Sequence, residues 1–172
     1  MAAARLIPHP ATPCPAVTSL TVTVVRDRDL HLTYELRGDL AALALPAPAS
    51  EGFADELWRH TCFEAFLAPG DGAAYHELNF SPSGRWAAYA FASYRQPVDL
   101  DPAPRAPAMS WRRGNDRLAL TVAVPFVGPL RLGLAAVIET RAGAHSYWAL
   151  HHPATRPDFH HADGFALRLA AC

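Results

Sequence analysis

Lysine is absent: all 15 basic residues are arginine, and they meet 16 acidic residues for a net charge of −1. A nucleic-acid binder normally carries a basic excess, so that partner class is excluded. Together with heavy use of alanine, the missing lysine reads as the base composition of a GC-rich genome. Cysteine is sparse, with only Cys14, Cys62 and Cys172. An odd set, two of them near the termini, does not make a disulfide framework, which points to reduced thiols and a cytoplasmic setting. No run approaches the roughly 20 apolar residues of a membrane-spanning helix, so no membrane partner is expected. Pro8, Pro10, Pro13 and Pro15 break up any apolar stretch after Met1, and no secretory signal is read. There is no phosphate-cradling glycine loop, and Ser81-Pro-Ser-Gly84 is not a nucleophile elbow.

What is present is a chain of 172 residues with 51% hydrophobic and 18% charged residues. Such a chain folds, and its length suits one domain spanning 1–172, with 1–18 expected as an irregular N-terminal arm. The dominant pattern is alternation with a period of two between turn residues, the signature of strands. Strands are expected at Leu20–Val25, Leu30–Leu36, Trp58–Leu67, Tyr75–Ser81 and Arg85–Ala92, the last three as an antiparallel meander. Further strands are expected at Met109–Arg113, Arg117–Val124, Leu130–Glu139 and His145–Leu150, with a last one from Phe165 to Leu169. Asp39–Leu45 reads as a short strand or a helical turn. Pro46–Phe53, Arg95–Pro107 and His151–Gly164 read as loops. About ten short strands with almost no amphipathic helix predict an all-β protein, an antiparallel β-sandwich or a partly rolled barrel.

If each strand turns its apolar face inward, Phe63, Ala65, Leu67, Leu78 and Phe80 point into the core. The opposite face then carries Cys62, Glu64, Phe66, Tyr75, Glu77 and Asn79. It also carries the small residues of Arg117–Val124 and Leu130–Glu139, Gly133 and Ala135 among them. A sheet face of alanine and glycine with a few polar groups leaves room for something to lie on it. That is either a ligand or the chain's own loops, such as Pro46–Glu56 or Arg95–Pro107. Flat aromatic rings against C–H faces, with carboxylate, amide or guanidinium groups for hydroxyls, are what a sugar needs. Trp58 and Trp148 supply rings; Glu64, Glu77, Asn79 and Arg85 supply hydrogen bonds. The competing reading makes the tryptophans packing residues and pairs Glu64 with Arg85.

The run Leu57-Trp-Arg-His-Thr-Cys-Phe-Glu-Ala-Phe-Leu67, then Tyr75-His-Glu-Leu-Asn-Phe-Ser-Pro-Ser-Gly-Arg-Trp86, resembles the DOMON-like proteins of bacteria, which look like family 9 carbohydrate-binding modules. Val137-Ile-Glu139, Ser146-Tyr-Trp-Ala-Leu-His151, Pro157-Asp-Phe-His-His161 and Asp163-Gly-Phe165 extend the likeness over about Leu20 to Leu169. The resemblance implies a β-sandwich that binds a small molecule, a sugar or a haem, without catalysing its reaction. It implies two tryptophans clamping a terminal sugar, with a glutamate on the strand after the first; Trp58 and Glu64 match that part, Trp148 by chain position. Haem would take Met and His as axial ligands, and Met1 and Met109 are the only methionines. His151, His160 and His161 are the candidates for a divalent metal, although paired histidines flanking a loop are not a standard zinc spacing. The enzyme alternative is a hydrolase acting on a sugar, with Glu64 and Glu77 as acid and base, or Cys62 with His60 or His151 as a nucleophile pair.

Overall fold

A computed structural model describes residues 1–100, 105–126 and 128–170. The chain is all-β, with thirteen strands and three short 3₁₀ turns among the described residues. The strands are β1 (Ala2–Pro8), β2 (Val17–Arg26), β3 (Asp29–Gly38), β4 (Gly52–Phe53), β5 (Cys62–Pro69), β6 (Tyr75–Phe80) and β7 (Arg85–Ser93). They continue as β8 (Gln96–Val98), β9 (Ala108–Arg113), β10 (Arg117–Pro125), β11 (Leu130–Glu139), β12 (His145–Ala149) and β13 (Leu167–Leu169). The order β4-β7-β6-β5-β11-β12-β1-β2-β3-β10-β9 runs continuously. Strand β1 bonds β2 through Ala2–Leu6 and then β12 through Ile7 and Pro8, so it joins the two halves of a curled sandwich. None of the helical turns is long and apolar enough to cross a membrane among the described residues.

The alternation seen in the sequence builds the core. Val22, Val24, Leu32, Leu36, Leu120 and Val122 line one inner face; Phe63, Ala65, Leu67, Leu132, Leu134 and Ile138 line the other. Burying a side chain of this kind stabilises by about 1.5–3 kcal/mol. Tyr34 crosses the interface: its ring meets Phe63 edge-on, and its hydroxyl donates to the Glu64 carbonyl at 2.7 Å.

Several expectations need correction, the loop read at Pro46–Phe53 among them, because Gly52–Phe53 pairs β7 as the short strand β4. Residues 1–18 are not an irregular arm throughout, because Ala2–Pro8 is a strand. Alanine has a weak strand preference, and pairing with β2 overrides it. The strand expected from Trp58 begins at Cys62; Leu57–Arg59 is a 3₁₀ turn entered through Glu56 in the left-handed region (φ 57°). The loop read from Arg95 contains the short β8 on the edge of β7; its residues 101–104 lie outside the described residues, as does Cys172. Asp39–Leu45 resolves as a 3₁₀ turn, with the Asp39 carboxylate accepting from the Ala41 N–H.

Candidate functional site

Strands β7, β6, β5, β11 and β12 present a second face, away from the core. Register aligns its residues in rows. Ala87, Asn79, Glu64, Ala135 and Ala149 form one row; Tyr89, Glu77, Phe66 and Gly133 form the next. The small residues leave room, and the molecule divides it. Over Gly133 the chain covers itself: Phe165 stacks on Phe66 at 5.8 Å, and Phe159 and Tyr75 complete a second apolar cluster. The covering segment is the loop after β12, which the sequence had not nominated for this task. Over Glu64 and Glu77 the face stays open as a cavity of about 530 Å³. That size is within the roughly 300–1,000 Å³ of small-molecule sites.

Glu64, Glu77, Tyr89, Phe91, Val137 and Tyr147 line the cavity from the sheet. Asp55, Glu56 and Trp58 rise from the segment before β5, Arg95 and Pro97 from the β7–β8 turn, and Pro157, Phe159 and His160 from the covering loop. Among the described residues only Glu56 and Arg95 combine a side chain with a left-handed backbone, and both stand on this rim. Such conformations are costly without a side-chain-free residue and gather at functional sites.

Trp58 is 46% exposed. Arg59 lies over its ring at 5.4 Å and bonds Glu56 at 2.7 Å. The turn is tied to the sheet by His60 Nδ1, 2.8 Å from Glu139 Oε2, and by His145 Nε2, 2.9 Å from the Arg59 carbonyl. The indole is therefore presented on a braced turn.

The floor is polar. Glu64 is 2% exposed, and its Oε1 has no hydrogen-bond partner. Burial, and then the Glu77 carboxyl, push the Glu64 carboxyl well above the ordinary carboxylate range. Glu77 is raised by burial, against the pull of the Asn79 amide, which donates to its Oε1 at 2.8 Å, and of Arg95. His160 stands 3.5 Å from Glu77, and its Nδ1 meets the Tyr75 hydroxyl at 2.8 Å. Burial, helped by Arg95, pushes His160 down to about 4, so the imidazole is neutral near pH 7. Arg95 is taken by Asp158 at 3.0 Å.

The sequence candidates separate. Trp58, Glu64 and Glu77 meet in the cavity, with Asn79 buried behind Glu77. Trp148 sits in the hydrophobic core at 4% exposure and does not face Trp58 across the cavity. Adjacent strand residues point to opposite faces, so the neighbour Tyr147 takes the place assigned to Trp148. Arg85 reaches the loop before β4, donating to Ser50 Oγ at 3.0 Å, and makes no ion pair with Glu64. His160 lines the cavity, His161 caps a 3₁₀ turn through the Asp163 N–H, and His151 is exposed. Among the described residues no three His, Cys, Asp or Glu gather as metal ligands. Met109 borders a separate cavity of about 480 Å³ beside Trp86 and Trp111, with no histidine on its lining. Cys62 is fully buried, its thiol pushed well up by burial, which is the reverse of an activated nucleophile.

Sequence reasoning missed Tyr89, Phe91, Arg95 and Phe159. The first two were legible once β7 is paired with β6, since Tyr89 opposes Glu77 and Phe91 opposes Tyr75. Arg95 and Phe159 lie in loops without periodicity, and no sequence signal marks them.

The fold defines a class. No protein-family model matches the chain, and no curated protein matches its sequence. Among solved structures, a candidate carbohydrate-binding protein from Bacteroides uniformis superposes with a TM-score of 0.68 at 15% identity, over 95% of this chain and 83% of that one. A family 9 carbohydrate-binding module from Caldicellulosiruptor kristjanssonii, in complex with glucose, superposes with a TM-score of 0.51 at 9% identity, over 77% of this chain and 66% of that one. The chain has a β-sandwich fold like that of these two structures.

Proposed function

We propose that this chain is a non-catalytic binder of a small carbohydrate, held in the cavity over β5, β6 and β11. One observation carries the reading: a buried carboxyl oxygen, Glu64 Oε1, is left without a partner on the floor of a cavity walled by aromatic rings. A buried polar atom without a hydrogen bond costs about 1–3 kcal/mol, and a sugar hydroxyl supplies the missing bond. Trp58 and Tyr147 offer π-faces to the ring C–H groups. The names of both structural neighbours concern carbohydrate binding, which supports the reading. The DOMON-like membership and the cytoplasmic setting read from the sequence belong to the same proposal.

Calorimetry or a glycan array with simple sugars tests it. Wild type binds, and Trp58→Ala weakens binding about tenfold or more without unfolding; no response to any sugar removes the reading. The proposal uses no haem and no metal, so a Soret band on reconstitution or a metal requirement for binding contradicts it.

The Glu64–Glu77 pair favours one second reading, a glycoside hydrolase in which Glu64 holds the proton and Glu77 activates water. It predicts turnover of aryl glycosides that Glu64→Gln abolishes while the fold persists.

A further inference from the structure

Resting on the carbohydrate reading, we infer that the cavity selects a sugar bearing a primary amine over its neutral and acidic counterparts. The carboxyls of Glu64 and Glu77 stand together on its floor, and among the described residues neither is ion-paired with an arginine.

The charge around the floor is one-sided. Asp55 and Glu56 add carboxyls at the rim. Among the described residues, Asp55 receives the Tyr89 hydroxyl and the Glu56 N–H, while Glu56 is matched by Arg59. Arg95 reaches the lining already engaged by Asp158. The imidazole of His160 beside Glu77 is held neutral by its burial. From inside the fold, Cys62 and Tyr34 face Glu64 as uncharged groups, both with their ionisation pushed up by burial. Among the described residues, the lining therefore offers carboxyl groups and no cation free to receive an anionic ligand.

A neutral sugar bonds the Glu64 carboxyl and gains one ordinary hydrogen bond. An ammonium group does more: it brings a counter-charge to the Glu64 and Glu77 carboxyls and forms a charge-assisted bond, about twice as strong as a neutral one. A uronic acid meets two carboxyls and is rejected.

The experiment is titration calorimetry of the folded chain with glucosamine, glucose, N-acetylglucosamine and glucuronate. Glucosamine is expected to bind about tenfold or more tighter than glucose or N-acetylglucosamine, and glucuronate weakest. Glu64→Gln brings the ratio of glucosamine to glucose affinity toward one. If that variant is poorly folded by circular dichroism, Glu77→Gln carries the test. Glucose binding as tightly as glucosamine overturns the amine preference and leaves the carbohydrate reading standing. Failure of every sugar, glucose included, overturns both.

Discussion

Gly133 sits where β11 passes beneath the aromatic cluster that closes half of the second face, and adding one methyl group there tests how that half is built. A Cβ at this position would lie 2.7 Å from Phe165 Cδ1, 3.3 Å from its Cε1 and 3.2 Å from Phe66 Cβ. Carbon atoms rest at about 3.5–4.0 Å, so the Phe165 ring must retreat by about 1 Å. It has little freedom to do so, being 5% exposed, stacked on Phe66 and edge-on to Tyr75 at 5.3 Å. Overpacking of this kind costs about 1–3 kcal/mol. The alanine restricts the unfolded chain and returns about 0.4–1 kcal/mol, leaving a net loss of about 1–2 kcal/mol. In a domain of this size each kcal/mol moves Tm by about 2–4 °C. Gly133→Ala is thus expected to lower Tm by about 2–8 °C in a thermal melt, with a matching drop in the urea midpoint. Gly72→Ala is the control, because nothing lies within 4 Å of its Cβ, and it raises Tm by about 1–4 °C through the same restriction of the unfolded chain. A Gly133→Ala melt equal to or above wild type refutes the argument that Phe165 is locked against β11.

The two tryptophans should part company: Trp148→Ala costs about 3–5 kcal/mol in urea unfolding because it empties core volume, while Trp58→Ala stays within about 1 kcal/mol of wild type and loses sugar binding instead. A large stability loss at Trp58 with none at Trp148 would reverse their assignment. Glu64 has a folded carboxyl held above its unfolded value, so its contribution is complete below the ordinary carboxylate range and is lost as pH rises through the raised value. Each unit of elevation corresponds to about 1.4 kcal/mol. Glu64→Gln therefore gains stability relative to wild type as pH is raised, and parallel stability curves for the two proteins count against a proton on Glu64. His160 is the mirror case: its folded value near 4 lies below the ordinary 6.5, so wild type loses stability as pH falls between those values. An NMR titration of the His160 ring is expected to show a midpoint near 4, and one at 6 or above would mean that the imidazole is charged beside Glu77.

Most of the sandwich was legible because its strands obey a two-residue period. The alternation of Leu130, Leu132, Leu134, Ala136 and Ile138 marks the inner face of β11 without any tertiary information. The same rule, carried one step further, places Trp148: it opposes Ala136 on β12, and Ala136 is a core position, so the indole had to point inward. Choosing the larger ring over its neighbour Tyr147 ignored that parity. Trp58 was assigned to a strand because apolar and polar residues alternate on through Leu67. What interrupts it is a left-handed Glu56 and two histidine ties to β11 and the Arg59 carbonyl, none of which is a local signal. Strand β1 was missed for a related reason, since Ala2–Ala4 have little strand preference and are held by partners 18 or more residues away. The loop contributions, Arg95 and Phe159, depend on where the chain returns, which periodicity does not encode.

The two faces of the β5–β6–β11 sheet stand under different physical demands. The inner face buries chiefly aliphatic and aromatic side chains against β2, β3 and β10. The outer face buries Glu64, Glu77 and Asn79 at 5% exposure or less, and a carboxyl in that position destabilises the fold unless it is bonded. The Asn79 amide bonds Glu77 Oε1, yet on its other side the row beside Glu64 continues as Ala135 and Ala149. Alanine there removes any internal donor and keeps the space above Glu64 open. A solvated glutamate would titrate freely, and a purely structural one would be paired as Glu35 is with Arg37 and Arg117 on the opposite sheet. Glu64 is neither, and on the function proposed above its unpaired oxygen is the group that a ligand hydroxyl bonds.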